Sequence, residues 1–184
     1  SSLVFSGVQL GVASFLVVYL NQVVGMSLAA AVSVLAIANV AAVAGRVGWG
    51  WVAARVSARW VLGGLGFGMA ASTALILTVS LAWPFALVAA LGVAIGATSI
   101  GWNGVFLAET ARQSPDGKVS EATGGVMVIT FLGSVIGPPM LSGLLAVTDP
   151  YQTGFLVLAG AALAMGVVFF LPPPKQKHSP PPPP

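Results

Sequence analysis

Six apolar stretches fill almost the whole chain, at residues 3–20, 28–47, 61–81, 84–108, 122–147 and 153–171. A helix needs about 20 largely apolar residues to cross the hydrocarbon of a bilayer, and each stretch is of that order. Only 6% of the residues are charged and 57% are hydrophobic. Soluble domains carry roughly 25% charged residues, so this chain cannot clothe a water-facing surface. What lies between the stretches is too short for a large soluble domain. The expected fold is an all-α membrane protein of six transmembrane helices, with the lipid bilayer as its first partner. There are no cysteines, which excludes disulfide and thiolate chemistry.

The distribution of charge supports the span count. The basic residues are Arg46, Arg55, Arg59, Arg112, Lys118, Lys175 and Lys177. With six spans the connections alternate between sides. The second connection, the fourth and the segment after the last span hold all seven. The opposite connections, around residues 21–27, 81–84 and 148–152, hold none. Basic loops stay cytoplasmic, so both termini are expected on the cytoplasmic side of the inner or plasma membrane. The net charge of +3 is spread between apolar spans, a poor footprint for nucleic acid. The opening Ser-Ser has no initiator Met and no charged region with a cleavage site. It reads as a cut edge rather than a signal peptide. Residues 172–184, "PPPKQKHSPPPPP", read as a disordered, extended proline-rich cytoplasmic tail.

Polarity differs among the spans. The first carries Gln9, Ser14 and Tyr19. The second places Asn39 and Arg46 seven apart. The fourth carries Ser99, Trp102, Asn103 and Phe106 at i, i+3, i+4 and i+7, one helical face. The fifth has Thr123, Thr130 and Ser134 along one stripe. Polar groups in the membrane interior face the bundle or a wet cavity. A cavity walled by Gln9, Tyr19, Asn39, Ser99, Trp102, Asn103 and Thr130 follows; for Gln9 and Asn103 an interhelical hydrogen bond is the other role open. The third and sixth spans are plainest and are expected to turn much of their surface to lipid. Glycines four apart, Gly7/Gly11, Gly64/Gly68, Gly92/Gly96 and Gly133/Gly137, let helices approach closely. Pro138 and Pro139 remove backbone donors just after Gly137 and are expected to kink the fifth span. That kink serves either shape or bending.

Enzyme motifs are absent. There is no phosphate-binding loop, no dinucleotide fingerprint, no metal cluster and no intramembrane nucleophile paired with a base. No cofactor is expected, and no enzymatic activity.

The stretch Gly50-Trp-Val-Ala-Ala-Arg55-Val-Ser-Ala-Arg59 resembles the loop signature of the major facilitator superfamily, found between the second and third helices of each six-helix half. Gly50, Arg55 and Arg59 match; Ala54 stands where an acid is usual and Ser57 where glycine is common. "AETAR" (residues 108–112) is similar to the acid-x-x-basic ending after the fourth helix. "GSVIGPPMLSG" (residues 133–143) looks like the family's eleventh helix, and "GRVGWGW" (residues 45–51) is most like cyanate-type and oxalate/formate-type organic-anion carriers. The resemblance covers residues 1–171 as one domain. It implies two inverted three-helix repeats and a cavity lined by the first and second helix of each triplet. The function it implies is secondary transport of a small solute by alternating access. This chain would supply the C-terminal half, partnered by an N-terminal half or a second copy. A non-transporting six-helix scaffold or partner-binding subunit is the alternative, and the proline-rich tail is its support.

The cytoplasmic cluster of Arg46, Gly50, Arg55, Arg59, Glu109, Arg112 and Glu121 admits two readings. It orients the chain by charge, or it latches one conformation; Glu109 can reach Arg112 one turn on, and a Glu109–Arg55 or Glu109–Arg59 pair is feasible from the same side. Glu121 begins the fifth span, where a helix N-terminus favours a carboxylate, and Ser120 is a candidate cap. Arg46 either snorkels to the interface or attracts an anionic substrate. The cysteine-free sequence offers a clean labelling background. Single cysteines at Ser57 and Lys118 are expected to react with an impermeant maleimide from the same face of the membrane, and one at Gly25 from the other. Reaction of Ser57 and Lys118 from opposite faces would remove the topology.

Overall fold

The computed structural model describes residues 1–115, 117–147 and 151–171, with Val147 described by its backbone alone. The expected tail at 172–184, with Lys175, Lys177 and His178, lies outside the described residues. Helix α1 (Ser2–Val18) continues into a wider π turn, Tyr19–Val23. α2 is Leu28–Ala53, and α3 is Ala58–Leu75 with a tight 3₁₀ turn, Ile76–Thr78. α4 (Phe85–Ile95), a second π turn (Gly96–Ile100) and α5 (Asn103–Gln113) form one span together. α6 is Val119–Val147 and α7 is Tyr151–Phe170. Six spans long and apolar enough to cross a membrane result, with no strand among the described residues.

Local chemistry sets the boundaries. At the first reversal Gly25 adopts φ +84°, a conformation glycine reaches without a Cβ penalty. Asn21 Nδ2 donates to the Met26 carbonyl at 2.8 Å, and Ser27 Oγ accepts from the Ala30 N–H, starting α2 as an N-cap. Pro84 precedes α4 in extended backbone, where its missing N–H costs nothing. α2 runs six residues beyond the expected end at residue 47, so Gly50 lies inside the helix and not in a loop. α3 starts earlier and ends earlier than residues 61–81, and the fourth span runs beyond residue 108 to Gln113. α6 begins at Val119, which puts Ser120 inside its first turn with Glu121 rather than at the cap.

Three close helix pairs build the bundle, and each depends on missing Cβ atoms. Gly7 on α1 faces Gly133 and Gly137 on α6; a Cβ on Gly137 would stand 2.6 Å from the Gly7 carbonyl oxygen. Gly96 presses on the Ala38 carbonyl of α2, and a Cβ on Gly45 would stand 2.9 Å from Ala97. Gly66 on α3 meets Gly166 on α7, where a Cβ would come within 2.7 Å of the facing Cα. Such small-residue contacts let backbones approach and gain dispersion where lipid provides no hydrophobic drive. The expected pair Gly64/Gly68 is only half used: Gly68 meets Thr98, while nothing approaches Gly64.

The pairing pattern is symmetric. α1 packs mainly on α6, and the fourth span mainly on α2. Exchanging the first span for the fourth and the second for the fifth converts one contact into the other. The α3–α7 contact maps onto itself under the same exchange. Three spans per repeat is an odd number, so the second repeat enters the membrane from the opposite side. This is the inverted-repeat arrangement.

One expectation fails. α3 is the most buried of the six spans and α6 the least. The small hydroxyls of the third span, Ser72 and Thr73, are buried, and its Gly66 is closed over by Gly166 of α7, so its plain sequence reflects close packing. α6 stays helical through Gly137, Pro138 and Pro139, so the proline pair lies inside the span and does not end it. Two of the other spans carry π turns. From these contacts, Gly96→Ala is expected to force α2 and α4 apart and lower the thermal unfolding temperature. Gly64→Ala, in open space, is expected to be neutral or to gain up to about 1 kcal/mol of helix propensity. Unfolding followed by size-exclusion chromatography in detergent separates the two outcomes.

Candidate functional site

A cavity of about 370 Å³ opens between α1, α2, α5 and α6. Its polar lining is Ser6, Gln9, Arg46, Asn103, Thr130 and Ser134; Phe106, Leu107, Met127 and Phe131 supply most of its apolar wall. Polar groups from four helices converge here because the close α1–α6 and α2–α4 pairs bring those faces together.

Gln9 is the hub. Its Oε1 accepts from the indole Nε1–H of Trp102 at 3.0 Å and from Asn103 Nδ2 at 3.1 Å. Trp102 and Asn103 are consecutive, and on a regular helix they would point about 100° apart. They reach one oxygen because the span turns at Gly101 and Trp102, directly after the π turn. Gly101 permits that turn, for a Cβ there would collide with the Ala97 carbonyl and approach α2 at Gly45. Across the cavity Ser6 Oγ lies 2.7 Å from the Thr130 carbonyl and 3.1 Å from the Leu3 carbonyl. Thr130 Oγ1 donates to the Val126 carbonyl of its own helix. Arg46 has no ion pair or hydrogen-bond partner among the described residues, and the one ion pair found there is Arg112–Glu109.

The structure thus brings Gln9, Asn103, Thr130 and Arg46 to one cavity and leaves four anticipated wall residues away from it. Trp102 is fully buried, packed edge-on to Phe5 and Phe106. Tyr19 is buried against Tyr151 and Phe155 of α7. Ser99 lies in the π turn, buried, its hydroxyl without a partner among the described residues. Asn39 is exposed on α2 and bonds the Leu35 carbonyl one turn back. The face drawn through Ser99, Trp102, Asn103 and Phe106 assumes a 3.6-residue period. The π turn breaks that period and splits the set into a buried pair and a cavity pair. Sequence reasoning misses Ser6, because a serine near a span start carries no polarity signal of its own.

At the end where α2, α5 and α7 finish, the arginines serve helix termini. Arg55 stacks over the Trp51 ring at 3.4 Å and donates to the Trp51 carbonyl. Arg59 Nε donates to the Phe169 carbonyl, one of the last four carbonyls of α7 that no intrahelical N–H reaches. Neither pairs with Glu109. That carboxylate is held by Arg112 at 2.7–2.8 Å and by Gln113, although Arg59 and Glu109 line one smaller cavity with Phe106 and Phe169. The expected latch contacts are absent, because Arg112, one turn on from Glu109, satisfies the acid locally.

Gln9→Leu strands the buried Trp102 indole N–H, and leaving such a donor unpaired costs roughly 1–3 kcal/mol. Asn103→Leu, at a half-buried position, is expected to cost less. Thermal unfolding of the two variants side by side checks the order.

A sequence model of the Major Facilitator Superfamily matches residues 1–184. No curated protein matches the chain.

Proposed function

We propose, from the premise that this chain belongs to the major facilitator superfamily, a family of membrane transporters, that it supplies the C-terminal six-helix half of a secondary carrier. In this reading the carrier works by alternating access and moves a small organic anion. The cavity between α1, α2, α5 and α6 forms one wall of the substrate path. A facing half, from the same carrier or a second copy, would close it. Both termini lie in the cytoplasm, and Arg55, Arg59, Arg112 and Lys118 mark the inner end.

The observation that carries the anion reading is the sign of the cavity. Arg46 is the one charged residue among those lining it, and no carboxylate of the described residues lines it. A cation beside a low-dielectric wall attracts anions and disfavours cations. Gln9 adds amide donors, since its acceptor oxygen is already occupied twice. Glu109 stands one turn beyond Phe106 at the inner end, held by Arg112, away from this lining.

The test is uptake by the full-length protein in proteoliposomes, with a panel of small carboxylates and their neutral amides. Carboxylates are expected to accumulate and amides not. Arg46→Gln is expected to reduce carboxylate uptake at least about tenfold, the scale of losing one charged hydrogen bond. Uptake of carboxylates unchanged in Arg46→Gln would falsify the anion reading. Accumulation of the neutral amides alone would do the same.

A further inference from the structure

We infer that Trp102, although it touches no solute, is the positioning residue that fixes the hydrogen-bonding polarity of the cavity. The inference rests on the anion reading above and extends it to how a carboxylate is told from its amide. An indole N–H donates and cannot accept. Only the oxygen of the Gln9 amide can therefore face it, and the 3.0 Å bond from Nε1 to Oε1 settles which way that amide lies. Asn103 must then present its own NH₂ to the same oxygen, as it does at 3.1 Å. One buried donor orients two amides in sequence.

The consequence is directional. Both Nε2 protons of Gln9 are left without partners among the described residues, and so is the Oδ1 oxygen of Asn103. Gln9, at the cavity wall, meets a solute as a pair of donors. Beside Arg46 it forms a surface that welcomes acceptors. If the Gln9 amide were free to turn, its carbonyl would also be presented, and a neutral amide would lose less ground to a carboxylate, with Arg46 still favouring the anion. Trp102 resists turning because it is locked: it is fully buried, wedged between Phe5 and Phe106 at ring separations of 5.4 and 5.6 Å. The main chain beside it is set by the Gly101 turn against Ala97 and Gly45. A side chain away from the solute thereby determines which solute chemistry fits.

The experiment uses the full-length protein and two arms. In the first, malonate and malonamide are titrated against wild type and Trp102→Phe. Wild type is expected to prefer malonate. Trp102→Phe is expected to weaken malonate by about tenfold, the order of one oriented hydrogen bond, while malonamide holds or improves, so that the preference narrows by at least that factor. Equal weakening of both probes, or an unchanged preference, overturns the inference, since a merely structural tryptophan would do that. The second arm needs neither a ligand nor a folded Trp102 variant. Nitrogen-15 spectra of the tryptophan indoles are recorded for wild type and Gln9→Glu. One buried indole resonance is expected to move downfield as its acceptor becomes a carboxylate. If no indole resonance moves, the Trp102–Gln9 bond is not there and the inference fails. If wild type binds neither probe while that resonance does move, the anion reading falls and the positioning of Gln9 by Trp102 stands.

Discussion

The bundle depends on backbone meeting backbone. In lipid there is little hydrophobic gain in pressing one apolar helix on another, so attraction must come from contact at van der Waals distance. Glycine supplies it at three crossings: Gly7 with Gly133 and Gly137, Gly96 with Ala38, and Gly66 with Gly166. Each of these crossings has too little room for a methyl group on the glycine. Placing α1 on α6 and α2 on α4 carries polar side chains from four helices toward one cavity. The arrangement of the site is therefore a result of the crossings, and few side-chain contacts are needed to hold it.

Polar groups within the membrane are few, and most of them are spoken for. Ser6 bonds across to the Thr130 carbonyl, Ser72 pairs with Thr98, and Asn39 turns back on its own helix. An unbonded polar group in hydrocarbon costs several kcal/mol, which explains the economy. Against that background the exceptions stand out. The Arg46 guanidinium has no partner among the described residues, and the Ser99 and Thr73 hydroxyls are buried without one. Arg46 differs from the other two because it borders an open cavity.

Much of this is legible in the sequence because it is a matter of composition and spacing. Six spans follow from apolar length. The grouping of arginines at the ends of α2 and α5 follows from where lipid permits charge. The convergence of Gln9, Asn103 and Thr130 follows from polarity along helical faces, and Arg46 joins them from the cytoplasmic cluster. What escapes is whatever depends on a departure from the regular helix. A 3.6-residue count puts Trp102 and Ser99 on the cavity face, and the π turn at Gly96–Ile100 invalidates that count. Nothing in "GATSI" announces a wider turn. The proline pair, in contrast, is plain in the sequence, and α6 carries both prolines within an uninterrupted helix. For Glu109 the sequence offers a near partner, Arg112, and distant ones on the same side; the near one, three residues away, takes the carboxylate.

The π turn also has a mechanical meaning. A helix advances about 100° per residue, so one residue more or fewer in that segment swings everything beyond it by more than a quarter of a revolution. Asn103, Phe106 and Glu109 all lie downstream on the same rod, Asn103 at the cavity and Glu109 at the far tip. The fourth span is in effect a crankshaft. Tightening or loosening a single coil near its middle would turn the cavity-lining amide and the distant carboxylate together, in the same sense, with no side chain needed to carry the message between them.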